Sequence, residues 1–107
     1  MRYLLLVHKS EDQAWEWWRP MAAPSPPGML RDVGTLCPSS SATTLHLGKG
    51  RPVLIDGPFA ELTEQPAGYY LLDCDDLDQA IAWAGRIRPA KDHELWVEIR
   101  PVEALPS

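Results

Sequence analysis

A chain of 107 residues, 45% hydrophobic and 23% charged, has the make-up of one folded globular domain and not of a disordered segment. A net charge of −5, with no run of lysine or arginine, excludes the basic footprint that a nucleic-acid partner needs. The apolar run Tyr3 to Val7 is too short for a bilayer span and lacks the flanks of a secretory signal, so no membrane partner and a cytoplasmic location are expected.

Arg2 to His8 reads as a strand with apolar residues on both faces: Tyr3, Leu5 and Val7 on one, Leu4 and Leu6 on the other. That pattern suits a central strand covered on both sides. Ser10-Glu11-Asp12-Gln13 fits a capping box that opens a short helix, which Pro20 stops. Proline is about twice as common in this chain as usual, and Pro20, Pro24, Pro26 and Pro27 make a break before Gly28. Gly28 to Val33 is expected to resume as one or two helical turns, with Gly34 as a left-handed C-cap.

Thr35 to Cys37 reads as a short strand closed by Pro38. Ala42 to Leu47 and Arg51 to Asp56 then form a hairpin around Gly48-Lys49-Gly50. Asp56 to Ala67 is a loop in which Phe59, the one phenylalanine, is expected to anchor in the core. Gly68 to Cys74 is again a strand with two apolar faces. Asp75 and Asp76 offer N-caps for a helix whose apolar face is Leu77, Ala80, Ile81, Ala84 and Ile87, ended by Pro89. Trp96 to Val102 is the last strand, and Glu103 to Ser107 reads as a tail. Cys37 and Cys74, far apart and in no metal-like spacing, read as two reduced, buried thiols.

The order β-α-β-β-β-β-α-β, without repeat or domain linker, predicts one α+β domain: a mostly antiparallel sheet with helices on one face. Two helices cannot cover both apolar faces of such a sheet. A second copy can, so a homodimer that pairs sheet to sheet is expected.

The stretch Asp56-Gly57-Pro58-Phe59-Ala60-Glu61-Leu62-Thr63-Glu64, continued by Gly68-Tyr69-Tyr70-Leu71-Leu72-Asp73, resembles the signature of the DGPF (YCII-related) family. The helix Leu77 to Ala84, the ending Val97 to Val102 and the opening Arg2 to Leu6 are similar too. The resemblance implies a ferredoxin-like fold pairing into a dimeric α/β barrel, with a cleft beside the DGPF loop. It implies no single reaction. Some relatives resemble lyases acting on breakdown products of chlorinated aromatic rings, and many look like neighbours of extracytoplasmic-function sigma factors. This chain departs from the family pattern in its proline-broken first helix, in Thr63 where lysine is common, and in Ala67 where a second glycine is common.

Several side chains are candidates for chemistry. Asp56 either caps its own loop as an Asx-turn or acts as a general acid or base, and the sharpest pairing is with His8 or His46. Glu61 and Glu64 form either a solvated face or an acidic rim on the cleft. Arg100 either holds a ligand carboxylate bidentately or pairs with Glu98. Trp15 and Trp18 share one side of a helix and, with Trp17, form a segment suited to a lid over an apolar or aromatic ligand. Tyr69 joins Arg100, Trp15 and Trp18 as a candidate substrate contact. His93 reads as exposed. There is no metal-ligand spacing and no phosphate loop, so neither metal nor cofactor is expected. The leading reading is an enzyme working by proton transfer, of lyase, isomerase or cyclase type. The runner-up is a non-catalytic ligand-binding or regulatory module, with a sigma factor as its associate, and a third reading is an interaction protein whose exposed tryptophans recruit a partner.

Overall fold

A computed structural model of the chain describes residues 1–11, 27–87, 89 and 94–104. The long central strand β1 (Arg2–Ser10) alternates strictly. Tyr3, Leu5, Val7 and Lys9 are buried, while Leu4, Leu6, His8 and Ser10 are half-buried on the opposite face. It pairs antiparallel with β5 (Glu64–Asp73) on one side and with β6 (Trp96–Val102) on the other. A further strand, β2 (Leu30–Thr35), pairs antiparallel with β5 and closes a four-stranded sheet of order β2-β5-β1-β6. This is the ferredoxin-like α+β arrangement. The hairpin β3 (Thr43–His46) and β4 (Val53–Asp56) stands as a separate two-stranded sheet, inserted between β2 and β5.

The helix α1 (Leu77–Ala84) starts where its chemistry says it should. The Asp76 carboxylate accepts from the Gln79 amide at 2.9 Å, and the Gln79 side chain accepts from the Asp75 amide at 2.7 Å. One orphan donor of the first turn, the Gln79 amide, is thereby satisfied, and the Gln79 side chain reaches back to the amide just before the cap. Ala80 and Trp83 carry the packing, together with Ile87 just beyond the helix end. The Trp83 ring meets Tyr70 edge-on at 4.8 Å, a favoured aromatic geometry. With Tyr3, Leu5, Val7, Met29, Ala67, Leu72 and Cys74 these residues form one core between the helix and one face of the sheet.

Several expectations are corrected. The strand β1 runs through Ser10, opposite Glu64, two residues beyond the expected end, while the helix expected up to Pro20 lies outside the described residues. Gly28 to Val33 is no helix: a turn at 27–29 leads into β2, where a bulge between Leu30 and Asp32 breaks the alternation that would have announced a strand. Gly34 lies within that strand. The helix α1 ends at Ala84, well short of Pro89, and buries Trp83 while Leu77 and Ile81 are about half exposed. Cys37 is exposed, and only Cys74 is buried.

Candidate functional site

Because β1 sends alternate side chains to opposite faces, its even-numbered residues lie on the sheet face away from the core. The ladder places Leu71 and Arg100 beside Leu4, Tyr69 and Glu98 beside Leu6, and Pro66 and Trp96 beside His8. A row of apolar side chains, Leu4, Leu6 and Leu71, is thereby flanked by ionisable ones.

Glu98 and Arg100 are two apart on β6 and share this face. Arg100 Nε donates to Glu98 Oε2 at 2.7 Å, and His8 Nε2 lies 3.2 Å from Glu98 Oε1. The histidine reaches its acid diagonally, since its directly opposed residue is Trp96. The hydrogen bond from Arg100 and then that from His8 hold the Glu98 carboxyl below its ordinary range, against the opposing effect of burial. Glu98 is therefore ionised at neutral pH, and an ionised carboxylate only accepts. That fixes the hydrogen of neutral His8 on Nε2 and leaves Nδ1 as the basic nitrogen. The His8 side chain is 21% exposed and that of Arg100 66%, so the arrangement is shielded at the histidine and open at the arginine.

A second polar pair stands on the other flank. The Tyr69 hydroxyl donates to Asp32 Oδ2 at 3.2 Å, and Asp32 Oδ1 accepts from the Val33 amide at 2.8 Å. The hydrogen bond to Asp32, then its negative charge, push the Tyr69 phenol up. With its proton committed, Tyr69 offers a ligand only an acceptor oxygen.

The DGPF loop is held by backbone chemistry. Gly57 has φ of 109°, a conformation that favours glycine. Its amide donates to the Ala42 carbonyl at 2.7 Å, and its carbonyl accepts from the Thr44 hydroxyl at 2.8 Å. The Gln65 amide, buried, donates to the carbonyls of Ala60 and Leu62. Phe59 does not anchor in the core: it is 91% exposed. The loop is fastened by hydrogen bonds instead.

Asp56 ends β4 opposite Thr43, and His46 ends β3 opposite Val53; both are exposed. Among the described residues the Asp56 carboxylate makes no hydrogen bond to a loop amide and no contact with either histidine. His8 has Glu98 as its partner instead, and Arg100 takes the alternative of pairing with Glu98. Glu64 is half-buried in β5 and Glu61 exposed in the loop. Trp15, Trp18 and Trp17 lie outside the described residues, as does His93. Among the described residues no group of histidine, cysteine, aspartate and glutamate side chains is placed to hold a metal ion, and no helix is long and apolar enough to cross a membrane. The role of Glu98 toward His8 was not foreseen. The alternation of β6 was readable, but the register that brings Glu98 to His8 was not.

The chain is similar to an uncharacterized protein of Rhizobium meliloti (strain 1021), 40% identical over 75 residues, which are 70% of this chain and 60% of that protein. The chain thus spans about 60% of that relative's length. The YCII-related domain matches residues 1–104, nearly the whole chain with its Asp56-Gly57-Pro58-Phe59 loop, and the protein belongs to that family.

Proposed function

We propose that the chain is a small-molecule enzyme of the proton-transfer type, a lyase, isomerase or cyclase, working without a redox cofactor and as a homodimer. The observation that carries this reading is the chain of contacts from His8 Nε2 to Glu98 Oε1 at 3.2 Å and from Arg100 Nε to Glu98 Oε2 at 2.7 Å. A carboxylate fixed by an arginine orients the imidazole and stabilises the imidazolium that forms when Nδ1 takes a proton. The apolar row Leu4, Leu6 and Leu71 beside it suits the body of an apolar or aromatic substrate. In this reading the acid that serves His8 is Glu98, and Asp56 and His46 on the hairpin have no assigned step.

Dimerisation is supported by the same face. The helix α1 packs on the opposite side, and Leu4, Leu6 and Leu71 are left half-buried. A second sheet laid against them would bury the apolar row and enclose His8. Light scattering on the eluting protein at micromolar concentration is expected to give twice the chain mass, and the mass of one chain would refute the pairing.

The catalytic reading is tested by hydrogen exchange. A panel of activated carbon acids, unsaturated lactones and 1,3-dicarbonyl compounds, is incubated with the protein in deuterium oxide and followed by NMR. Enzyme-dependent deuterium incorporation is expected, reduced by about 100-fold or more in His8→Ala, with unchanged circular dichroism. Incorporation that His8→Ala leaves intact would rule out His8. Ligand binding without exchange would favour the non-catalytic ligand-binding or regulatory module, a reading that the exposed and unpaired Asp56 carboxylate of the DGPF loop supports.

A further inference from the structure

The strand β2 ends at Thr35, and the chain turns through Leu36, Cys37 and a short 3-10 helix, Ser39–Ser41, before β3. Between this turn and the start of β5 lies a cavity of about 300 Å³ with walls that include Leu36, Cys37, Ser39, Ser41, Gln65 and Pro66. That volume is at the lower end for small-molecule pockets.

The donors of Leu36, Ser39 and Ser41 and the side-chain amide of Gln65, all at this cavity, are already in use. Ser39 donates from both its amide, at 3.1 Å, and its hydroxyl, at 2.9 Å, to the Glu11 carboxylate. Ser41 donates from its hydroxyl, at 2.7 Å, and its amide, at 2.9 Å, to the Pro38 carbonyl. The Leu36 amide donates to the Ala67 carbonyl at 2.8 Å. The Gln65 amide nitrogen donates to two carbonyls, Ala60 at 3.0 Å and Leu62 at 3.3 Å. Two carbonyl partners settle which end of the carboxamide is nitrogen, so its oxygen is the remaining group.

Acceptors remain. Among the described residues nothing donates to Gln65 Oε1, Ser39 Oγ or Ser41 Oγ. Gln65 is only 5% exposed as a residue, and its carbonyl oxygen, which keeps some contact with solvent, is open to a donor there. The charges nearby are of opposite sign and select no ion of either sign. Lys9, 1% exposed and engaged in its own interactions, is the cross-strand partner of Gln65, and the Glu11 carboxylate sits on Ser39. We propose that this cavity binds a small, uncharged, mostly apolar molecule carrying an O–H or N–H donor, which the Gln65 carbonyl oxygen receives. Pro66 is also the cross-strand neighbour of His8, but the proposal concerns binding alone and does not rest on a catalytic role for His8.

The test is an NMR titration of the whole chain with phenol, its methyl ether anisole, and benzoate. Phenol is expected to give saturable amide shifts at Leu36, Cys37, Ser39–Ala42 and Gln65, with at least about fivefold higher affinity than anisole; benzoate does not saturate. Gln65→Met removes the acceptor at similar volume and is expected to abolish the preference for phenol. Because Gln65 also fastens the loop, Cys37→Trp provides a second variant that fills the cavity from an exposed wall and is expected to abolish phenol binding with the rest of the spectrum unchanged. Absence of saturable shifts at these residues, equal affinity for anisole, or undiminished binding in Cys37→Trp would each overturn the proposal.

Discussion

The Tyr69 ring lies so close over Gly34 that a Cβ at position 34 would stand 2.6 Å from Tyr69 Cε1. The two residues are cross-strand partners between β2 and β5. Glycine is needed there for close approach, and the ring that occupies the space ends in the hydroxyl bound to Asp32.

Gly34→Ala is accordingly expected to displace the ring, break the contact with Asp32 and cost about 1–3 kcal/mol in urea unfolding. The phenol, pushed up in the native protein, should titrate nearer its ordinary range. Ultraviolet titration of the variant beside Tyr69→Phe, which assigns the signal, checks this. An unchanged high-pH phase in Gly34→Ala would contradict it.

The Glu98 carboxyl is held down in the folded chain by Arg100 and His8. In the window between its lowered folded value and its ordinary unfolded value the unfolded chain binds more protons, so stability rises with pH there. The contribution is fully present above the ordinary glutamate range and is lost as pH falls through the folded value. Urea unfolding of wild type and Glu98→Gln between pH 3 and 7 should show a difference that shrinks steadily toward acid. A pH-independent difference would mean that the carboxylate is not stabilised in the fold. The solvent exposure of this group keeps the effect modest.

The two cysteines should behave differently toward a thiol reagent. Cys37 is exposed; Cys74 is 3% exposed, and burial, then the charge of Asp73, push its thiol up. Only the thiolate reacts, so native protein should show one fast thiol and a second that waits for opening of the fold. Cys37→Ser should remove the fast phase entirely. A fast phase that survives it would place Cys74 at the surface.

Trp83 joins α1 to the sheet through its edge contact with Tyr70. Trp83→Ala should cost about 3–5 kcal/mol, a large share of what a domain of this size has. Chemical denaturation followed by far-ultraviolet circular dichroism measures it. A cost under about 1 kcal/mol would show that the helix docks through other residues.

What could be read from the chain was what neighbouring residues decide. The alternation of Arg2 to His8, the span Trp96–Val102, the glycines of the β3–β4 turn and the Asp76 cap are local patterns, and each element stands where those patterns place it. The specific block Asp56 to Asp73 carried the family, and with it the ferredoxin-like sheet.

Other features depended on contacts between distant segments. Gly28 to Val33 shows no strand alternation because a bulge interrupts it, and only pairing with β5 makes it a strand. A lone phenylalanine reads as core by hydrophobicity, yet the loop around Phe59 is closed by hydrogen bonds from Gln65 and to Ala42, which leaves the ring outside. The partner of His8 followed the register of β1 against β6. A shift of one residue in that ladder would send Glu98 to the other face, so no reading of either strand alone could have joined them.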